Sequence, residues 1–168
     1  MSSLKRSAAI VVASDRAYDG EREDATGPLL SARLAELGFS IIAQTIVPDD
    51  EDMIVSTLEE LVDHDVSLIV TTGGTGLGPR DVTPEATLRV IEKQIPGLAE
   101  AMRRSGLTDT RFAMLSRAVV GMKAQTLIIN LPGNPDGALS SLASIQDVLG
   151  HALSVMQSPT FDHDTVAD

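Results

Sequence analysis

The chain has 168 residues, 43% of them apolar, which predicts a globular protein with one domain over residues 1–157 and one sizeable core. The net charge of −11 and the 2% of aromatic residues argue against binding to nucleic acid or an anionic membrane, and the absence of cysteine excludes disulfides, thiolate metal sites and cysteine catalysis. No apolar run reaches the roughly 18 residues that a membrane span needs, and no signal core follows the short polar lead, so a cytoplasmic location is expected.

Two kinds of apolar segment alternate along the chain and predict an α/β protein. Short continuous apolar runs are typical of strands buried in a parallel sheet, whereas apolar residues three and four positions apart indicate helices. In the first half of the chain, the predicted elements are a strand over 8–13, a long mobile loop over 14–26, a helix over 27–37, a strand over 40–47, an acidic turn over 49–52, a helix over 52–63 and a strand over 66–72. A glycine loop follows, and then helices over 84–94 and from Pro96 to Arg104 and an irregular linker over 105–112. The last predicted elements are strands over 118–122 and 126–131, a turn over 132–135, a helix over 137–156 and a disordered tail over 158–168.

This alternation predicts a three-layer α/β/α sandwich with a mostly parallel sheet. The last two strands flank Lys123 and Ala124 so closely that they predict one antiparallel element. In such sheets, ligands bind beyond the carboxyl ends of the strands. Three segments follow strands directly, namely Ser14 to Arg16, the glycine loop and the turn after Leu131. We therefore expect these segments to converge at one edge of the sheet.

The glycine loop is the most informative segment. Four of the six residues 73–78 are glycine, so the backbone can adopt positive φ and approach a ligand closely. Thr83 and Pro84 predict a helix start directly after the loop, with Thr83 as its cap. A glycine loop that leads into a helix N-terminus suits a phosphate, although a flexible strand–helix turn is the plainer alternative. The loop has neither the lysine of a Walker motif nor the spacing of a Rossmann fingerprint.

Several polar side chains near this edge allow two interpretations. Asp81 can either favour the helix dipole or hold Mg²⁺ together with substrate phosphates, and Arg80 beside it can clamp a phosphate. Asp49 lies in an acidic turn and is either a solvated cap or a second metal ligand. Asn130 interrupts an apolar strand, where its amide makes either a structural hydrogen bond or a ligand contact. The three histidines have no ligand spacing and receive no role.

Five motifs occur in an order that resembles a known family. They are Gly73-Gly74-Thr75-Gly76, the run from Pro79 to Thr87, Pro96-Gly97, the run from Ala113 to Arg117, and the run from Asn130 to Pro135. Together they resemble the molybdopterin adenylyltransferases of molybdenum cofactor biosynthesis. These are the MogA/MoaB-like proteins, which are similar to the G domains of plant and animal molybdenum-insertion proteins. The resemblance extends from Ala8 to His151.

The resemblance implies a nucleotidyltransferase whose substrates are ATP and molybdopterin. With Mg²⁺ as cofactor, AMP is transferred to the terminal phosphate of molybdopterin, and pyrophosphate is released. A molybdate-insertion protein downstream and assembly as a homotrimer are implied as well. Two alternatives stay open. One is a non-catalytic molybdopterin-binding carrier or scaffold of the MoaB-like branch, and the other is a relative of the competence-damage-inducible family that acts on other nucleotides.

The same resemblance implies roles for individual residues. Asp49 and Asp81 are the expected catalytic residues and the expected ligands of Mg²⁺. The other expected contacts to molybdopterin or to the nucleotide are Ser14, Asp15, Gly73, Gly74, Thr75, Gly76, Arg80, Ser116, Arg117, Asn130, Pro132, Gly133 and Asn134. No role follows for the acidic stretch 17–26.

Overall fold

The structure, a computed structural model, describes residues 4–158, so the predicted tail beyond Ser158 lies outside the described residues. Six strands form one sheet, and helices connect most of them. The strands are β1 (Ser7–Ala13), β2 (Ser40–Val47), β3 (Leu68–Thr72), β4 (Lys93–Gln94), β5 (Val120–Lys123) and β6 (Thr126–Leu131). The helices are α1 (Asp15–Tyr18), α2 (Thr26–Glu36), α3 (Glu51–Asp63), α4 (Thr83–Val90), α5 (Pro96–Gly106) and α6 (Pro135–Gln157), with a 3₁₀ helix over Arg111–Leu115.

The sheet has the strand order β2-β1-β3-β6-β5-β4. The first four of these strands are parallel, and β5 pairs antiparallel with both β6 and β4. The prediction of a mostly parallel sheet with an antiparallel element is therefore confirmed.

Alternate residues of the central strands explain the three layers. Ile10 and Val12 of β1 face a core that α2, α5 and α6 cover. Ala9 and Val11, one position along, face a second core that α3 and α4 cover. Because both faces of β1 are buried, the strand is a continuous apolar run rather than an alternating one.

The connections place a crevice at the centre of the sheet. Helix α2 joins β1 to β2 on one face, and α3 joins β2 to β3 on the other. The strand order therefore reverses between β1 and β3, and ligands bind at such a point beyond the carboxyl ends of the strands. The segments after β1, β3 and β6 all lie at this edge because these three strands are neighbours and parallel.

The predicted helix over 84–94 is wrong at its end, because α4 stops at Val90. Ile91 is extended, with a ψ of 147°, and the chain continues as the edge strand β4. There Glu92 N donates to Met122 O at 2.8 Å, and Ile95 N donates to Val120 O at 2.8 Å. The close approach requires Gly121, since a Cβ there would lie 2.7 Å from the carbonyl oxygen of Lys93.

Two predicted loops contain helical turns. The stretch 14–26 begins with α1, whose N-cap is Ser14, with the hydroxyl accepting from Ala17 N at 3.2 Å. The linker predicted over 105–112 is shorter than expected, because α5 continues to Gly106 and the 3₁₀ helix begins at Arg111. Within residues 4–158, no helix combines the length and the apolar character needed to cross a membrane.

Candidate active site at the carboxyl edge of the sheet

The loops after β1, β3 and β6 converge, as their sequence positions predict. Gly73 has a φ of +96°, and a Cβ at this position would lie 2.3 Å from the carbonyl oxygen of Ala13, the last residue of β1. On its other side, Gly73 N donates to Leu131 O at 3.2 Å, and a Cβ on Gly133 would lie 3.2 Å from Gly73 Cα. The three loops therefore meet at one glycine, where a side chain would force them apart.

Four consecutive backbone N–H groups of the glycine loop have no acceptor in the described part of the chain. They belong to Gly74, Thr75, Gly76 and Leu77. Backbone donors in folded proteins are almost always paired with protein, water or ligand. A row of unpaired donors next to glycines of positive φ is the arrangement by which loops bind anions.

The first residues of α4 differ from the expectation from the sequence. Thr83 is the first residue of the helix rather than its cap, and its hydroxyl donates to Gly73 O at 2.9 Å. Thr83 N donates to Gly74 O, and Pro84 has no N–H. The first two positions of the helix therefore offer no N–H group to a phosphate, whereas the loop offers four.

Arg117 holds the glycine loop from the opposite side. Its Nε donates to Gly76 O at 2.7 Å, and its Nη2 donates to Asp81 O at 2.7 Å. The remaining Nη1 pairs with Glu85, and Arg117 N donates to Thr75 O at 3.0 Å. Because Arg117 binds the carbonyl side of the loop, the loop conformation and the outward direction of its amides depend on this residue.

Asp15, Asp49 and Arg80 join three loops. Asp15 N donates to Asp49 Oδ2 at 2.9 Å, and Asp49 N donates to Asp15 Oδ1 at 2.9 Å. Arg80 donates to both oxygens of Asp15, from Nε at 2.9 Å and from Nη2 at 3.0 Å. The hydrogen bond from Arg80 lowers the pKa of Asp15, so this carboxylate is ionised at neutral pH.

Burial raises the pKa of Asp49, and the negative charges of Asp15 and Asp81 act in the same direction. Like charges nearby make the ionised form of Asp49 less favourable. Asp81 Oδ2 accepts from Gly78 N at 2.8 Å, and Asp49 Oδ1 lies 3.3 Å from the position that a Cβ on Gly74 would take. Both carboxylates therefore flank the loop that carries the unpaired amides.

The chemistry of these two carboxylates fits Mg²⁺. Asp49 keeps Oδ1 and Asp81 keeps Oδ1 without a hydrogen-bond partner among the described residues. Within residues 4–158, no cluster of three or more His, Cys, Asp or Glu side chains is arranged to hold a metal by itself. One or two carboxylates completed by substrate phosphates and water are the usual Mg²⁺ ligands in nucleotide sites.

Asn130 lies in a buried polar network below the loops. Its Nδ2 donates to Thr71 Oγ1 at 3.0 Å and to Thr87 Oγ1 at 2.8 Å, and its Oδ1 accepts from Val119 N at 3.1 Å. Both amide hydrogens are committed, and the side chain is inaccessible to solvent. Of the two interpretations of Asn130, this geometry favours the structural hydrogen bond.

A cavity of about 910 Å³ opens next to the glycine loop. Its walls come from the loop, α5, the 3₁₀ helix and the start of α6, and they are largely apolar, with Leu77, Met102 and Phe112 among them. The predicted residues that line it are Thr75, Gly76, Ser116, Asn130, Pro132 and Asn134. Its volume is typical of small-molecule sites.

A smaller cavity of about 190 Å³ lies on the other side of the contact between Gly73 and Gly133. Ser14 and the segment 22–26 line it, and Asn134 lines both cavities. Asn134 is also the N-cap of α6, where its Oδ1 accepts from Gly137 N at 2.7 Å. The turn after β6 therefore separates two neighbouring cavities.

Sequence reasoning missed the residues that support these loops. Thr26 Oγ1 donates to Gly133 O at 2.9 Å, and Thr72 Oγ1 donates to Pro132 O at 2.7 Å. Asp24 Oδ1 accepts from Thr26 N and Gly27 N, while its Oδ2 is buried without a partner among the described residues. The sequence held a signal for Asp24, because an aspartate just before a helix typically caps the backbone N–H groups two and three residues later. No local signal identifies the two threonines.

Comparison with known proteins adds a family to this geometry. Residues 9–151 match the family model described as a probable molybdopterin binding domain, and the chain belongs to this family. The chain is 40% identical over 147 residues to a protein of Haemophilus influenzae named molybdopterin adenylyltransferase, covering 86% of this chain and 75% of that protein. The crystal structure of the molybdopterin biosynthesis enzyme MoaB from Thermus thermophilus is similar at a TM-score of 0.86 and 44% identity, covering 92% of this chain and 98% of that one.

Longer relatives match as well. A molybdenum cofactor biosynthesis bifunctional protein of Synechococcus elongatus is 36% identical over 159 residues, which is 95% of this chain and 49% of that protein. The chain therefore spans about half the length of some of the curated relatives it matches.

Proposed function

We propose, from its family and from the geometry of the carboxyl edge, that this protein is a molybdopterin adenylyltransferase of molybdenum cofactor biosynthesis. The observation that carries the proposal is a loop with four unpaired amides, which lies next to the carboxylates of Asp49 and Asp81 and also lines the large cavity. Amides and carboxylates in this arrangement suit a reaction between two substrates that both carry phosphate. The large cavity beside them has room for the pterin ring system of one of these substrates.

The proposed reaction transfers AMP from ATP. An oxygen of the terminal phosphate of molybdopterin attacks the α-phosphorus of ATP, and a new P–O bond forms. The bond from the α-phosphorus to the oxygen that bridges to the β-phosphate breaks, and pyrophosphate leaves with that electron pair. Such transfers require positioning and charge neutralisation rather than a covalent nucleophile, which agrees with a chain without cysteine.

Different residues at the carboxyl edge of the sheet would bind the phosphates and hold the loop in place. The N–H groups of Gly74, Thr75 and Gly76 donate to phosphate oxygens, and the guanidinium of Arg80 retains three N–H donors that Asp15 does not use. Arg117 keeps the loop in its conformation through Gly76 O and Asp81 O. The loop is thereby fixed before the substrates bind, so little reorganisation is needed during the reaction.

The two cavities accommodate the two substrate bodies. The larger cavity, with its apolar walls and Ser116, takes the pterin, and the smaller one beside Ser14 takes part of the nucleotide. Pro132, Gly133 and Asn134 lie between them and bring the two phosphate groups to the same loop. Asp49 and Asp81 would hold Mg²⁺, which supplies neutralisation of phosphate charge when bound.

Assembly and partners follow from the same family resemblance. We infer a homotrimer located in the cytoplasm, and a molybdate-insertion protein that accepts the adenylylated product. The alternative of a non-catalytic carrier predicts the same cavity with no turnover. The presence of both Asp49 and Asp81 favours the enzyme, because a carrier needs no cation site.

A single-turnover assay tests the proposal. The purified protein is mixed with molybdopterin, ATP and Mg²⁺, and the pterin is analysed by mass spectrometry, with parallel reactions containing EDTA or GTP. Adenylylated molybdopterin and one equivalent of pyrophosphate are expected, and neither is expected with EDTA. Bound but unmodified molybdopterin would instead identify a carrier, and the absence of molybdopterin binding would exclude both alternatives.

A further inference from the structure

We propose that Asp15 is a positioning residue that fixes Asp49 and Arg80, rather than a ligand of the nucleotide. This inference rests on the proposed function, and it assigns to Asp15 a role different from the one implied by sequence resemblance. The observation behind it is that the carboxylate of Asp15 is already committed to protein donors.

Three hydrogen bonds occupy the two carboxylate oxygens of Asp15. Oδ1 accepts from Asp49 N at 2.9 Å and from Arg80 Nη2 at 3.0 Å, and Oδ2 accepts from Arg80 Nε at 2.9 Å. The two parallel bonds from Arg80 form a bidentate charged pair, which is the stronger and more directional kind. These three bonds use most of the roughly four acceptor sites of a carboxylate, so little capacity remains for direct binding of the nucleotide.

The bonds between Asp15 and Asp49 are reciprocal, so each residue fixes the backbone of the other. The two residues follow the neighbouring parallel strands β1 and β2. Asp49 Oδ2 is held by Asp15 N, which leaves Asp49 Oδ1 on the side of Gly74 and the glycine loop. The backbone N–H of Asp15 thus orients the Asp49 carboxylate, which the proposed reaction uses directly, and the Asp15 carboxylate fixes the backbone that carries it.

Arg80 reaches Asp15 from the glycine loop, which follows β3. Its side chain is exposed, so without Asp15 its long stem would sample many rotamers. The bidentate pair holds the guanidinium at the edge of the site, and its unused N–H groups stay available for a phosphate. Asp15 therefore connects the loops after β1, β2 and β3 into one rigid unit.

Steady-state kinetics of two variants test the inference. Asp15→Ala removes all three hydrogen bonds, and kcat is expected to fall about 100-fold, the size of effect that a small misplacement of reacting groups produces. The KM for ATP is expected to change less than about threefold, because the residue does not contact the nucleotide. Asp19→Asn, an exposed carboxylate of the same segment, is the matched control and should retain full activity.

Asp15→Asn separates the two partners. An asparagine oxygen can still accept from Asp49 N, but the side-chain amide cannot pair with Arg80 Nε, so the loss in kcat should be about tenfold. In an Arg80→Ala background, the same substitution should have almost no further effect, as a double-mutant cycle would reveal. A raised KM for ATP with an unchanged kcat in either Asp15 variant would overturn the inference and make Asp15 a ligand.

Amide hydrogen exchange of the free protein supplies a readout that does not require activity. The Asp49 N–H should exchange more than tenfold faster in Asp15→Ala than in the wild type, and it should stay protected in Asp15→Asn. Unchanged exchange at Asp49 in Asp15→Ala would overturn the inference. If the wild type forms no adenylylated product, the proposed function fails, whereas the exchange result still decides whether Asp15 fixes Asp49.

Discussion

At the edge where the parallel strands begin, neutral side chains form hydrogen bonds with the backbone, whereas the edge where the strands end keeps backbone donors unpaired. Ser67 N donates to Ser7 Oγ at 3.0 Å, and Thr126 Oγ1 donates to Val66 O at 2.7 Å. Gln157 bonds both the N–H and the carbonyl oxygen of Lys5. At the opposite edge, four loop amides have no acceptor in the described chain. Burial raises the pKa of Asp49 there, and the negative charges of Asp15 and Asp81 raise it further.

On the proposed function, the edge where the strands end carries the reactivity, and the edge where they begin contributes to stability alone. Donors without a protein partner add less to folded stability than paired donors do. The edge where the strands begin, here called the amino edge, pairs its neutral side chains within the protein. Substitutions at the two edges should therefore separate activity from stability.

The largest effect is expected for Asp81→Asn. Turnover should fall by about 100- to 1,000-fold, the range seen when one electrostatic contact to the transition state is lost. Stability should hardly change, because an asparagine oxygen can still accept from Gly78 N, and molybdopterin binding should persist. Single-turnover rates and the dissociation constant of molybdopterin are the measurements, with the exposed Asp63→Asn as control. Unchanged turnover would refute the assignment of Asp81.

The next effect is expected for Gly73→Ala, where the loops meet. Positive φ and a Cβ 2.3 Å from Ala13 O should together destabilise the fold by about 3 kcal/mol or more. Gly20→Ala is the matched control, because Gly20 also has a positive φ, of +75°, but no atom lies within 4 Å of its added Cβ. The control should lose only about 1 kcal/mol in urea unfolding. Equal losses would mean that the loops do not meet tightly at Gly73.

A third pair of variants compares the two edges in stability alone. Asn130→Ala leaves Val119 N and the hydroxyls of Thr71 and Thr87 without their partner, so the free energy of unfolding should fall by about 2–3 kcal/mol. Ser67→Ala, at the edge where the strands begin, removes only the long hydrogen bonds of the hydroxyl to Ser7 and Gln157. It should lower the free energy of unfolding by only about 1 kcal/mol and leave turnover unchanged. A loss of activity in Ser67→Ala would contradict the separation of the two edges.

The smallest effect concerns the support of the glycine loop by Glu85. Burial by itself raises the pKa of Glu85, but the hydrogen bond and charge of Arg117 outweigh it, so the pKa lies below its ordinary value of 4.5. A lowered pKa means that the ionised pair stabilises the fold above that ordinary value and loses its effect as pH falls through the folded pKa. The pair is partly exposed, so Glu85→Gln should cost less than about 1 kcal/mol at pH 7. Thermal unfolding from pH 7 to pH 3 should show the difference from wild type vanish at the acidic end, and a difference that grows there would contradict the assignment.

Much of the fold was predictable because its signals are local. The strand over 40–47 has the predicted bounds, and the hairpin of β5 and β6 follows from two apolar runs around a two-residue turn. Helix α3 was predicted to within one residue because its apolar positions repeat at helical spacing. The end of α4 was not predictable in this way, because pairing with β5, nearly thirty residues later, determines it.

The candidate site, too, was predictable only where its signals are local in the sequence. Glycine content and the position after β3 marked the loop, whereas the roles expected of Asp49 and Asp81 came only from the family resemblance. The hydrogen-bond partners of Arg117 and Asp15 could not be predicted from the sequence. Those of Arg117 lie 32 to 41 positions away in the chain, and those of Asp15 lie 34 to 65 positions away.

The sequence by itself determined the alternation of elements, the three-layer class and the edge at which the polar loops converge, since periodicity and glycine placement act on neighbouring residues. Only the tertiary structure decided which polar groups are satisfied and which stay free. It committed the amide of Asn130 to a buried network, turned Arg117 to the carbonyl side of the loop and left four loop amides unpaired. The reason is that a hydrogen bond depends on distance and direction in space, and for residues far apart in the chain only the packed fold sets both.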